Sequence, residues 1–228
     1  MTTSNTFAFS PSLGDFVTGA FARCGVRRTD LTAQHMEDAR FESNILMADW
    51  TSNGINLWQV NSGSMLLTQG TTDYDLPDNI VFLLDVYITT GSNPPTNRLI
   101  FPISRSDYAA IANPTTQGFP TSYWYDRLIN TNINIWPTAD SDNTYTLSYY
   151  YMRQAQDSEL SNGTQMELPW MFYGTFVSCL AARLAAIYAP ERAIALDGIA
   201  QRDWAKALAV GTENTSMKIM PNFQSYYR

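Results

Sequence analysis

The stretch that decides the fold runs from Leu168 to Ala209, LPWMFYGTFVSCLAARLAAIYAPERAIALDGIAQRDWAKALA. It reads as two helices joined by a tight corner at Ala189-Pro190-Glu191. Pro169 and Pro190 each suit a first helical turn, where a missing N–H is no loss. Glu191 complements the positive end of the second helix. In the first helix Met171, Phe172, Phe176, Cys179, Leu180, Leu184 and Ile187 recur at steps of three and four. Val177, Ala181, Ala182, Ala185 and Ala186 fill much of the rest. A helix apolar nearly all round is buried, and its alanines let neighbours come close. The second helix places Ile194, Leu196, Ile199, Trp204 and Leu208 on one broad face, with Arg192, Gln201, Arg202 and Lys206 largely on the other. Gly211 is its stop. One central helix and one amphipathic cover need further helices to close a core.

The other chain end offers them. Residues 1–9 read as a loose arm. Ser10 or Ser12 caps a helix through about Arg23, with Leu13, Phe16, Val17, Ala20 and Phe21 on one side and Gly25 ending it. Thr29 to Thr32 leads into a longer helix that runs to about Asn53-Gly54. Its apolar face is Met36, Ala39, Ser43, Leu46, Met47 and Trp50. Phe41 and Ile45 form a second stripe, which calls for a second neighbour in the same subunit or in another one.

After Gly54 the apolar spacing shifts to alternation, with runs of Ile, Val, Tyr, Phe and Thr broken by Gly, Pro and Asn. The expected strands are Gly63–Gln69, Ile80–Thr90, Arg98–Pro102, Ser122–Leu128, Ile133–Trp136 and Thr144–Arg153, in a mainly antiparallel sheet. Leu76-Pro77-Asp78 reads as a turn. Ser104 with Asp107 resembles a capping box before a short helix, Tyr108 to Ala112. The fold class is therefore α+β, an α-helical bundle built from both chain ends with an inserted antiparallel β domain. Its expected divisions are 1–57 and 161–211 for the bundle, 58–160 for the β domain, and 212–228 for an extended tail. That tail is apolar and aromatic (Met217, Ile219, Met220, Phe223, Tyr226, Tyr227), which marks a segment that docks, on its own domain or on a partner.

Composition narrows the function. The 228 residues carry a formal net charge of −7, distributed as −2 over residues 1–60, −7 over 61–167 and +2 over 168–228. Such a chain is ill suited to gripping phosphates, which takes basic stripes. Two cysteines, Cys24 and Cys179, lie in apolar helical patterns and read as buried free thiols of a cytosolic protein. No signal peptide is visible, and no stretch reads as apolar enough to span a membrane, because Arg183 interrupts the best one. The triplets at Asn162 and Asn214 match glycosylation acceptors only by chance.

Marks of catalysis are scarce. His35 is the only histidine, in the first turn of a helix among polar neighbours, and reads as a surface residue rather than a base. There is no Gly-x-Ser-x-Gly elbow and no phosphate-cradling glycine loop. Asp73-x-Asp75 and Asp140-x-Asp142 lie in turns, with too few oxygen ligands for a calcium loop. Glu159 and Glu167 flank a loop and a helix start. The sequence thus calls for no cofactor and no metal. The aromatic set Tyr123, Trp124, Tyr125, Trp136 and Tyr149 to Tyr151 fits cross-strand packing or a protein interface. The alternative is a carbohydrate-binding or glycan-degrading protein that stacks sugars on Trp124 and Trp136 and uses Asp126 or Glu167 for hydrolysis.

The order of features resembles the head-to-tail adaptor proteins of tailed bacteriophages, also called tail tubular protein A in short-tailed phages. The similar stretches are Tyr74-Asp75-Leu76-Pro77-Asp78-Asn79-Ile80 with the strand ending Asp85-Val86-Tyr87-Ile88, then Phe119 to Arg127, Ile133-Asn134-Ile135-Trp136-Pro137, Leu147 to Tyr151, and the helix from Leu168 to Ala185. Together they span roughly residues 10 to 210. The resemblance implies a non-enzymatic virion protein that assembles in the host cytoplasm as a dodecameric ring beneath the portal protein. The ring meets the tail tube or nozzle and lets DNA pass through its lumen. It also implies a C-terminal segment that reaches the portal, here Thr212–Arg228 with Phe223, Tyr226 and Tyr227 as anchors. Phe41 and Ile45 would then meet the next subunit, and Tyr123, Trp124 and Trp136 would face the tail.

Overall fold

The structure of the chain is a computed structural model that describes residues 5–53, 57–91, 94–127, 129–142, 144–160 and 165–211. The tail from Thr212, with Met217, Ile219, Met220, Phe223, Tyr226 and Tyr227, lies outside the described residues.

Helix α1 (Leu13–Cys24) begins where the Ser12 hydroxyl accepts from the Asp15 amide and the Asp15 carboxylate accepts from the Ser12 amide. This reciprocal pair satisfies two donors that the first turn leaves open. Gly25 ends the helix at φ 90°, a conformation that disfavours any side chain, and a Cβ there would lie 2.6 Å from the Arg192 guanidinium. Helix α2 (Ala33–Ser52) is capped in the same way by Thr32 and His35. At the other chain end a 3₁₀ turn, Trp170–Phe172, leads into α4 (Tyr173–Tyr188), and α5 (Pro190–Gly211) returns after Ala189.

Helix α4 is the centre, and α1, α2 and α5 all pack on it. Phe16 meets Phe176, and further along Cys24 reaches the Ala181 carbonyl, so α1 runs in the same sense as α4. Trp50 meets Phe176 while Asp38 meets Tyr188, so α2 runs the opposite way. The core joins Leu13, Phe16, Val17, Phe21, Leu46, Met47 and Trp50 from one end of the chain to Phe172, Phe176, Leu180, Leu184 and Leu196 from the other. A polar chain runs along its edge through buried Ser178. Arg23 donates to the Ser178 hydroxyl at 2.5 Å, and that hydroxyl donates to Asp203 at 2.8 Å. The Ser178 bond holds the Asp203 carboxyl below the usual carboxylate range.

Between the two helical halves lies a β sandwich. One sheet has the order β1 (Val60–Leu66), β8 (Tyr145–Arg153), β3 (Ile80–Thr90), β4 (Asn97–Leu99), and its pairings are antiparallel. The second has the order β2 (Asp73–Asp75), β7 (Asn132–Trp136), β6 (Ser122–Asp126), β5 (Phe101–Pro102), with β5 parallel to β6. Leu76, Val86, Ile88, Tyr123, Ile133, Ile135, Leu147 and Tyr149 fill the space between them. This core shares no buried residue with the bundle core that holds Phe172 and Leu180. The short helix α3 (Arg105–Ala109) is capped by Ser104 and Asp107.

Several expectations need correction. The single sheet is two. The expected strand Arg98–Pro102 divides at buried Ile100, whose amide bonds the Val86 carbonyl, so the chain changes sheet there. Asp-Tyr-Asp before a proline turn has the composition of a loop, yet it forms strand β2. Its single inward side chain, Tyr74, suffices for three residues at an edge. The short helix starts at Arg105, three residues before the expected position, because Ser104 itself is the cap. In α5 the contact face is Ala193, Leu196, Ala200, Trp204 and Ala207, which keeps Leu196 and Trp204 of the expected set, while Ile194 is 90% exposed and Ile187 of α4 is 53% exposed. Alanines on both helices allow the close approach that leaves the larger side chains outside. Trp170–Tyr188 is long and apolar enough by composition to cross a membrane, despite Arg183. In this fold it is the bundle's central segment.

Phe176 is fully buried and touches Phe16 and Trp50 at once. Phe176→Ala is expected to cost about 3–5 kcal/mol, read as a lower denaturant midpoint. A loss under about 1 kcal/mol would contradict its place at the centre of the bundle.

Candidate interaction surfaces

Strand alternation fixes what the sandwich shows to its surroundings. On the second sheet Tyr74, Tyr123, Ile133 and Ile135 point inward, so Asp73, Asp75, Ser122, Trp124, Asp126, Asn132, Asn134 and Trp136 form the outer face. This face is acidic, rich in amides, and carries two tryptophans. Trp124 lies 5.4 Å from the Tyr108 ring, and the Trp136 indole donates to the Asn113 carbonyl at 3.2 Å. Both are thus tied to the α3 segment at one side and partly open at the other. Tyr123, expected to face the tail with them, is only 4% exposed and belongs to the sandwich core. Trp124 and Trp136 remain available for an outward role.

The first sheet presents a different chemistry. Leu147, Tyr149 and Tyr151 point inward, leaving Ser62, Ser64, Leu66, Tyr87, Thr89, Leu99, Ser148 and Tyr150 outside. None of these is charged, although they sit in the most acidic third of the chain. Leu66, Leu99 and Tyr150 are 57%, 49% and 44% exposed. Exposed Asp85, in the β3 bulge between Leu83 and Val86, borders this set, so the sandwich has one acidic face and one that carries little charge.

The bundle adds apolar patches. Phe41 is 60% exposed and Ile45 partly so, on the side of α2 away from its buried Ala39, Ser43, Leu46 and Trp50. Ile194, Leu208 and Val210 line the outside of α5. Exposed apolar side chains grouped on helices are the usual mark of a protein contact.

The residues singled out for chemistry have structural roles. The Thr32 amide donates to His35 Nδ1 at 3.0 Å, and the imidazole packs edge-on to Tyr188 with ring centres 4.7 Å apart, so it is half-buried rather than a free surface group. Glu167 accepts from Arg153 at 2.8 Å and from the Gln156 amide at 3.1 Å, joining β8 to the segment before α4. Asp142 accepts from the Gln69 amide at 2.7 Å and fixes a turn. Among the described residues no group of three or more His, Cys, Asp or Glu could hold a metal ion. Burial pushes the Cys179 thiol up to about 11, away from nucleophilic use at neutral pH. Nothing in this geometry supports the glycan reading.

Packing surfaces of distinct chemistry, on two separate cores, are the make-up of an assembly protein. The comparison with known families agrees: a family model described as SU10 adaptor protein matches residues 28–218. The chain belongs to the SU10 adaptor protein family. It is a structural adaptor of phage, a virion component of a kind that binds other phage structural proteins and oligomerises. The match supports the head-to-tail adaptor part of the resemblance and does not extend to tail tubular protein A. None of the curated proteins matches the chain.

One pH-dependent contact follows from the bundle geometry. The Tyr188 hydroxyl donates to the Asp38 carboxylate, and this bond, with burial second, raises the phenol from 10.0 to about 12. A raised pKa stabilises the fold below the unfolded value and ceases to do so as pH rises through the folded one. The difference in melting temperature between the protein and Tyr188→Phe should therefore be constant near neutrality and shrink between pH 10 and about 12. A difference that stays flat across that window would show that the hydroxyl contributes nothing through Asp38.

Proposed function

We propose that this chain is a head-to-tail adaptor that forms a dodecameric ring between the portal and the tail tube or nozzle, with DNA passing through the lumen. Assembly takes place in the host cytoplasm. The observation that carries this reading is the family match over most of the chain, joined to an architecture that leaves apolar patches on two different outer helices. Phe41 and Ile45 on α2 of one copy facing Ile194 and Leu208 on α5 of the next is a head-to-tail contact, the kind that closes into rings. Many copies of one modest contact add to a stable assembly. In this reading the bundle (1–57 with 161–211) forms the ring body and residues 58–160 form a separate β domain. Trp124 and Trp136 face the tail, and Thr212–Arg228 reaches the portal through Phe223, Tyr226 and Tyr227. The net acidity of the subunit suits a lumen that must repel phosphates rather than hold them.

Electron microscopy of the purified protein, alone and mixed with portal rings, tests the proposal. Rings are expected, and Phe41→Asp combined with Ile194→Asp should abolish them while the helical circular dichroism persists. Deleting Thr212–Arg228 should leave the rings and remove portal association. Rings that survive the double substitution would overturn the interface. Portal binding that survives the deletion would overturn the tail's role.

A further inference from the structure

The two sheets have four edges, and one of them is unguarded. A sheet edge offers open N–H and C=O groups to any strand that comes alongside, and proteins blunt it with charges, prolines or short strands. Strand β2 is three residues long and carries Asp73 and Asp75, and β5 is two residues long and ends in Pro102. Strand β1 runs for seven residues, Val60-Asn61-Ser62-Gly63-Ser64-Met65-Leu66, without a charge or a proline. Gly63 answers to packing rather than to the edge, since a Cβ there would lie 2.5 Å from the Tyr149 ring. No described strand pairs with the outer side of β1. The Leu67 amide bonds the Tyr145 carbonyl at 2.9 Å. In the same register the odd-numbered residues of β1 turn their backbone groups to β8, and Ser62, Ser64 and Leu66 turn theirs away.

The opposite edge of the same sheet offers a matching end. The Thr90 amide bonds the Thr96 carbonyl and the Ile100 amide bonds the Val86 carbonyl, so Asn97 and Leu99 of β4 also turn their backbone groups outward. Arg98, between them, stacks on the Phe119 ring at 5.0 Å instead of guarding the edge. Three antiparallel pairings separate β1 from β4, so the two edge strands run in opposite senses. They also lie level. Leu66 is opposite Thr146, Thr146 is opposite Thr89, and Thr89 is opposite Asn97. Ser64 reaches Leu99 in the same way through Ser148 and Tyr87. A copy brought alongside by rotation about an axis along the strands therefore presents an antiparallel β1 to β4, with open groups facing open groups. We propose that β4 of one copy pairs with β1 of the next, Asn97 opposite Leu66 and Leu99 opposite Ser64, joining the first sheets of neighbouring copies. Each of these pairs exchanges two backbone hydrogen bonds. The seam also makes diagonal neighbours of Leu99 and Leu66, which are exposed on the same face at opposite edges of the free sheet. The inference rests on the ring reading given above and adds a second head-to-tail contact to that of Phe41 and Ile194. Pairing of β1 with a second β1 would instead close a two-fold dimer.

Cross-linking tests the seam. Within one chain β1 and β4 stand three strand spacings apart, about 14 Å, too far for a disulfide, which needs Cα atoms within about 7 Å. In a chain with Cys24→Ala and Cys179→Ala, Ser64→Cys together with Leu99→Cys should give, on mild oxidation, a ladder of disulfide-linked multimers up to the closed ring. Chains carrying only Ser64→Cys or only Leu99→Cys should stay unlinked by themselves and form linked dimers when co-expressed. Mapping the disulfide by mass spectrometry with both native cysteines retained gives the same answer if their removal disturbs folding. Ser64→Pro removes an outward N–H and spares the bonds to β8, so it should abolish the rings while the circular dichroism persists. Where Ser64→Pro fails to fold, the cross-link decides. Rings without the cross-link would overturn the seam and leave the ring reading standing. Linked dimers of the Ser64→Cys chain alone would overturn it in favour of two-fold pairing. Absence of rings from the unsubstituted protein would overturn the ring reading and the seam with it.

Discussion

The packing of α1 and α2 onto α4 is the contact on which everything else rests. Arg23 and Ser178 are 155 residues apart in sequence, and Asp49 and Arg183 are 134 apart, yet both pairs are bonded. Closing so long a loop costs chain entropy before the contact returns anything. The return comes from one densely apolar helix that supplies a partner to three others. Because both chain ends must reach α4, the segment between them has to leave and re-enter the bundle at neighbouring points. Trp58, just before β1, packs on Phe172 with ring centres 4.4 Å apart. Arg153 at the end of β8 binds Glu167, and the Ser158 amide donates to Asn44 of α2 at 2.7 Å. These three ties are the hinge plate of the molecule.

That constraint frees the inserted segment for other tasks. The sandwich has its own core of Ile, Leu and Tyr, and most side chains of its outer faces lie outside both cores. One face concentrates carboxylates and amides around two tryptophans, and the other carries little charge. An adaptor must satisfy different neighbours on different sides, and a two-faced sandwich on a helical base offers separate chemistries without a separate fold for each. The bundle's own exposed apolar positions, Phe41 on α2 and Ile194 on α5, leave room for like subunits.

Local signals in the sequence were read well wherever a side chain decides its own neighbourhood. Ser12, Thr32 and Ser104 each cap the helix that follows, and Gly25 ends the first one. Strand β3 spans Ile80–Thr90 as its alternation indicates. Expectations failed where a distant partner decides. Periodicity puts Ile194 on the apolar face of α5, yet it is exposed, because the alanines of α4 determine how closely α5 can lie. The division of Arg98–Pro102 between two sheets depends on Ile100 finding the sandwich interior, which no local pattern reveals. Tyr123 and Trp124 look alike in composition, and only the register with β7 sends one inward and the other out. The surfaces that bear on function were the least legible, because exposure is a property of the assembled fold.

Native-state hydrogen exchange on Leu180→Ala tests most directly whether the two cores stand independently on this frame. Leu180 is fully buried in the bundle and absent from the sandwich core. The substitution should speed exchange across α1, α2, α4 and α5 together, although α1 and α2 lie more than a hundred residues away, while β3 and β8 keep their protection. Equal loss in the strands, or loss confined to α4 and α5, would contradict a bundle built from both chain ends around one helix.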